Sequence, residues 1–236
     1  MERNINSLIG NSLAATNGII GNVKDFYFDD ESWTIRYLVV KTGSWLFGRE
    51  VLISPVAMKD RYWLKNIIPI NLTKEQIQRS PDIDTKQPVS RQQEVELYGH
   101  YQWESYWGSG FYGGGSMGVS MPFPSIDRKV LIEPDKVHKH PGDDIHLRSA
   151  ERINDYHVHA TDGEIGHVKD FIIDDQTLQL LFFVVDTHNW IGGKKVLIPI
   201  KKIKKIDWFT FEVFLNITID EVKNSRLFEE SEYTSS

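Results

Sequence analysis

Shifted against itself by 145 residues, the chain matches itself: Ala15–Ser80 lies on Ala160–Ser225 without a gap, with 24 identities in 66 positions. About four identities would arise by chance between unrelated chains of this makeup. The matches fall in clusters. Ala15, Thr16 and Gly18 recur as Ala160, Thr161 and Gly163. Ile20-Gly21-x-Val23-Lys24-Asp25-Phe26-x-x-Asp29-Asp30 recurs as Ile165-Gly166-x-Val168-Lys169-Asp170-Phe171-x-x-Asp174-Asp175. Val39-Val40, Trp45, Val51-Leu52-Ile53, Trp63 and Asn71-x-Thr73 have their counterparts at Val184-Val185, Trp190, Val196-Leu197-Ile198, Trp208 and Asn216-x-Thr218. Whatever one copy folds into, the other must fold into as well.

Each copy reads as strands closed by one short helix. Gly18–Phe28 and Thr34–Lys41 are strand-like and meet at Asp29-Asp30-Glu31-Ser32, a turn-forming quartet; the second copy has Asp174-Asp175-Gln176-Thr177 there. Val23 and Phe26 have opposite parity along their strand, as do Val168 and Phe171. A regular strand cannot place both on one face, so a bulge is predicted at Lys24-Asp25 and Lys169-Asp170. The following strand is apolar on both faces, which predicts a cover from the sister copy or from the middle of the chain. Short strands are expected at Glu50–Ile53 and Lys195–Ile198, and longer ones at Arg61–Ile70 and Ile206–Leu215. Thr73-x-x-Gln76 and Thr218-x-x-Glu221 are capping-box signatures for a closing helix. Closure of each sheet would remove exposed strand edges.

These residues, in this order and found twice, resemble the PRC-barrel family: G-x-x-G-x-V-x-D-F-x-x-D, an acidic turn, an apolar strand through Val-Val, then Val-Leu-Ile followed by Ser54 or Pro199. That family includes the cytoplasmic domain of the photosynthetic reaction-centre H subunit and the C-terminal domain of the ribosome maturation factor RimM. The resemblance implies a mainly β fold of two small PRC-type β-barrels, each followed by a short helix and related by internal duplication. It also implies a non-enzymatic protein-interaction or assembly module. The expected organisation is a first barrel over residues 1–80, a linker and aromatic, glycine-rich insert over 81–145, a second barrel over 146–228 and a frayed tail over 229–236.

Composition narrows the chemistry. With no cysteine, disulfides, thiolate metal sites and cysteine nucleophiles are excluded. The longest apolar run, Leu180–Val185, is far short of the roughly 20 residues that a spanning helix needs. Neither a secretory signal nor the membrane helix of the reaction-centre subunit is read at the start, so a cytoplasmic protein is expected. The net charge of −6 offers no general attraction to nucleic acid or anionic membrane. No catalytic constellation and no cofactor motif is read; Gly108–Gly118 lacks the Gly-Lys-Ser/Thr that a phosphate loop requires.

Three groups of side chains are candidate sites. The insert concentrates aromatics at Tyr98, Tyr101, Trp103, Tyr106, Trp107, Phe111 and Tyr112. They are read either as the cover of the barrels' apolar faces or as contacts for a protein partner. Lys194, Lys195, Lys201, Lys202, Lys204 and Lys205 form a basic edge that would discourage strand pairing or meet an anionic partner such as RNA or the ribosome. His138-x-His140 and His157-x-His159 each put two imidazoles on one strand face, a weak metal chelate. A homo-oligomer is compatible with all of this.

Overall fold

The computed structural model describes residues 1–59, 66–81, 89, 91–106, 147–187 and 193–233. The first repeat forms the sheet β5-β4-β3-β2-β6, built from β2 (Ser12–Ala15), β3 (Gly18–Asp29), β4 (Thr34–Thr42), β5 (Glu50–Ile53) and β6 (Ile67–Pro69). The second forms β11-β10-β9-β8-β13-β12, from β8 (His157–Ala160), β9 (Gly163–Asp174), β10 (Leu180–Asp186), β11 (Lys195–Pro199), β12 (Ile203–Asp207) and β13 (Glu212–Leu215). The closing helices α1 (Lys74–Gln78) and α4 (Ile219–Lys223) begin with complete capping boxes at Thr73/Gln76 and Thr218/Glu221. α2 (Arg91–Tyr101) lies in the insert and α3 (Ala150–Ile153) opens the second repeat.

The repeats exchange their first strands. β1 (Glu2–Asn4) pairs antiparallel with β9 of the second repeat, and β7 (Leu147–Ser149) pairs antiparallel with β3 of the first. Residues 2–4 and 147–149 are separated by the same 145 positions as the rest of the repeat, so the exchange is reciprocal. The predicted bulges lie where it happens. Lys24 is skipped in the β3–β4 pairing, between Val23↔Val40 and Asp25↔Val39, and Lys169 is skipped in β9–β10. Before the bulge β3 pairs with its own β2; beyond it, Tyr27–Asp29 pairs with β7. Gly21 and Gly166 sit just ahead of this bend, where a Cβ would come within 2.0 Å of Lys41 O and 1.9 Å of Asp186 O. The repeated glycine is therefore a backbone-contact requirement.

This exchange corrects the expectation that each sheet closes into a barrel of its own. Among the described residues the hydrogen-bonded path of each sheet is open. The far half of each long strand is occupied by the other repeat, and the two β-units are joined instead. Thr34 and Gln179 form an antiparallel bridge between them. Around that bridge Phe28 stacks on Trp33 and meets Phe171, while Trp33 and Phe171 both meet Phe183 edge-on. One continuous core runs through both repeats.

The long strand expected at Ile206–Leu215 is instead a hairpin, β12 and β13 around a turn at 208–211. Asp207 Oδ1 accepts from the Phe209 and Thr210 amides, and Phe211 takes a positive φ of 60°. That backbone geometry breaks the strand although its residues are aromatic and β-forming. The corresponding expectation at Arg61–Ile70 lies partly outside the described residues; β6 covers its end.

The doubly apolar strands are covered in two different ways. Over β4, α2 brings Tyr98 edge-on to buried Tyr37, whose hydroxyl donates to Glu94 Oε1 at 2.9 Å. Over the second sheet, Tyr233 and Phe228 pack on Ile172, Phe182, Val184 and Leu197. The segment expected to be a frayed tail from residue 229 is thus anchored at least as far as Tyr233, which is 2% exposed. It also guards an edge: Leu197 donates to Arg226 O and Phe228 to Lys195 O, so the chain runs alongside β11.

Candidate functional site

The repeated carboxylates hold the exchange together. Asp25 accepts from its own Phe26 amide, from Ser149 Oγ at 2.6 Å and from the Glu151 amide at 2.9 Å. Asp170 accepts from the Phe171 amide, from Asn4 Nδ2 at 2.9 Å and from the Asn6 amide at 3.1 Å. Each bulge aspartate therefore caps the arriving segment of the other repeat. Burial pushes both carboxyls up, to about 6, against the pull of these donors. Asp29 and Asp174 accept amides of their own turns. Asp30 and Asp175 receive Arg148 and Arg3 at 2.7 and 2.8 Å. The repeated acids have structural partners.

At the seam between β3, β7, α3 and the β12–β13 turn lies a groove of about 420 Å³. Tyr27, Tyr156, Trp208 and Phe211 supply its aromatic walls, and Arg148 and Arg152 its charge. Arg148 stacks over Trp208 at 4.3 Å while paired to Asp30. Arg152 is exposed and has no carboxylate within ion-pair distance among the described residues. Phe209, on the same turn, is 93% exposed. The sequence pattern does not announce this groove, because its walls come from the exchanged segment and from a turn whose residues are β-forming.

The insert aromatics do not form a free surface where they are described. Tyr98 and Tyr101 are buried, and Trp103 and Tyr106 pack half-buried against the core, so these four lie as the reading of a cover over apolar surface expects. Tyr101 stacks on Trp103 at 4.4 Å, and the Tyr106 hydroxyl donates to Glu94. Trp107, Phe111 and Tyr112 lie outside the described residues, as do His138 and His140. Lys204 and Lys205 are exposed on β12, an edge strand; Lys205 also sits over Phe214 at 4.6 Å and 3.6 Å from Asp207. Lys194, Lys195 and Lys201 are exposed and Lys202 half-buried.

His157 and His159 have different neighbours across the hairpin. The β8–β9 hairpin has a register shift between Val158 and His159, which sets His157 opposite His167 and His159 opposite Glu164. His159 turns to Glu212, with Nε2 3.2 Å from Oε1, and stacks on Phe214. Spacing along β8 gives no information about the residues that β9 sets beside it.

The model of the PRC-barrel domain matches residues 1–77 and 147–210, which take in both exchanged strands and run in the second repeat through β12. The chain belongs to the PRC-barrel family. Curated proteins give no match to it. PRC-barrel domains are generally non-catalytic and serve protein interaction and assembly. In this PRC-barrel protein no described helix is long and apolar enough to cross a membrane.

Proposed function

We propose that this chain is a non-enzymatic interaction module that docks a partner protein through the seam groove, gripping an acidic segment that carries an apolar or aromatic residue. The observation that supports this reading most is the groove's composition: four aromatic rings lined with Arg148, already paired to Asp30, and the exposed Arg152, on a molecule of net charge −6. Local positive charge against the overall sign selects for an acidic partner at close range. Tyr, Trp and Arg are the residue types that dominate partner-binding energy.

The test is a panel of peptides pairing Asp or Glu with one Phe, Tyr or Leu, set against charge-reversed Lys versions, read by Trp fluorescence and polarisation. Acidic peptides should bind, and Arg152→Glu and Trp208→Ala should each abolish binding without altering the circular dichroism. Equal binding of acidic and basic peptides, or binding unaffected by both substitutions, would reject the reading.

A second reading rests on the lysine edge. β12 terminates its sheet with Lys204 and Lys205 exposed, and Lys201 lies beside it. An RNA or ribosomal contact there predicts co-sedimentation with ribosomal particles that falls steeply with salt. Absence of association at low salt removes it.

A further inference from the structure

We infer that the β8–β9 hairpin carries a binding site for one borderline divalent metal ion of the zinc class, with His157, Glu164 and His167 as ligands. A ligand atom from each of the three lies within 4.8 Å of the others. His157 and His167 face each other across the two strands, ring centroids 4.5 Å apart. Glu164 Oε1 is 2.7 Å from His157 Nδ1. Two imidazoles and one carboxylate form a donor set that zinc and its neighbours favour over calcium or magnesium. Three protein ligands at an open sheet surface leave a fourth position for water or for a group from another molecule.

The surroundings suit a cation. Glu212 and Asp155 add negative charge at the margin; Lys169 is occupied by Asp155. His159 stands beside the site, directed to Glu212. The site belongs to the second repeat alone, since the first has Ser12, Ile19 and Asn22 at the matching positions. It is thus confined to one half of a duplicated frame, separate from the seam groove.

Protein purified without a histidine tag and stripped with EDTA is titrated with Zn2+ at pH 7.5 by calorimetry. One equivalent should bind, and His157→Ala, His167→Ala and Glu164→Gln should each weaken it by about tenfold or more. Glu164→Gln keeps a hydrogen-bonding partner for His157 but removes the charge, so it separates metal ligation from a plain His–Glu contact. His159→Ala should leave the titration unchanged. All these side chains are at least partly exposed, so circular dichroism should match the parent in every variant. Binding that survives His167→Ala, or that disappears only with His138→Ala/His140→Ala, would overturn the assignment.

Discussion

Thr34 and Gln179 occupy the same position of the two repeats, 145 residues apart, and they pair with each other. The bonds on either side are reciprocal: Ile35 N donates to Leu178 O at 2.8 Å, and Leu180 N donates to Trp33 O at 2.7 Å. Trp33 and Leu178, also equivalent, both take a positive φ, 55° and 62°. A local two-fold axis passes through this bridge, and the exchanged strands, the capping aspartates and the Arg3–Asp175 and Arg148–Asp30 pairs obey it. The chain has the geometry of a symmetric dimer whose halves are covalently joined.

The capping aspartates predict a pH dependence. Each binds its proton more tightly in the folded state, with a folded value of about 6 against an ordinary 3.8. Their stabilising contribution is therefore complete below about pH 4 and is lost as pH rises through about 6, by roughly 2–3 kcal/mol per site. Urea midpoints across this range should fall in the parent relative to Asp25→Asn/Asp170→Asn. Carboxylates with lowered values, such as Asp155 and Asp174, act with the opposite sign at more acid pH and are common to both proteins. Parallel curves for the two would show that the aspartates are not buried as described.

The ion pairs of the exchange are unequal. Asp175 is nearly buried and holds both Arg3 and the N-terminal ammonium; Asp30 and Arg148 are more open, at 17% and 19% exposed. Arg3→Ala should destabilise by about 2 kcal/mol, since it leaves a buried carboxylate with one cation. Arg148→Ala should cost less in charge but also loses the stack on Trp208. Chemical denaturation measures both. An effect of Arg3→Ala under about 0.5 kcal/mol, the range of ordinary surface changes, would show that β1 is not anchored.

Much of the fold was legible in the sequence because it was written twice. Bulges, turns, capping boxes and paired strands all fall where identical residues recur. The exchange was not legible: between residues 2–14 and 147–159 only Arg3 and Arg148 match, and the strands they belong to are three residues long. α2 was hidden for a related reason. It buries Glu94, 0% exposed, and leaves Val95 outward, so its polar pattern gives no amphipathic signal. The seam groove depends on both the exchange and the turn at 208–211, so no local pattern could announce it. In the metal candidate, His157 was visible, but its partners Glu164 and His167 follow from the register across the hairpin.

The C-terminal segment is predicted to act as a lid on the second sheet. Tyr233→Ala should destabilise by about 2–4 kcal/mol. Truncation after Ser225 should add binding of an apolar dye, because Ile172, Val184 and Leu197 lose their cover. Unchanged stability and dye binding would return the segment to the status of a frayed end.

The joining of the two halves is open to a direct test, helped by the absence of any native cysteine. Thr34 and Gln179 form a non-hydrogen-bonded antiparallel pair, in which Cα atoms lie about 4.5 Å apart, within reach of a disulfide. Thr34→Cys/Gln179→Cys should oxidise to an internal disulfide within a single chain, seen as a faster-migrating monomer on a non-reducing gel. Failure to form the bond, or a product cross-linked only between chains, would contradict a pseudo-two-fold pairing of the repeats within one molecule.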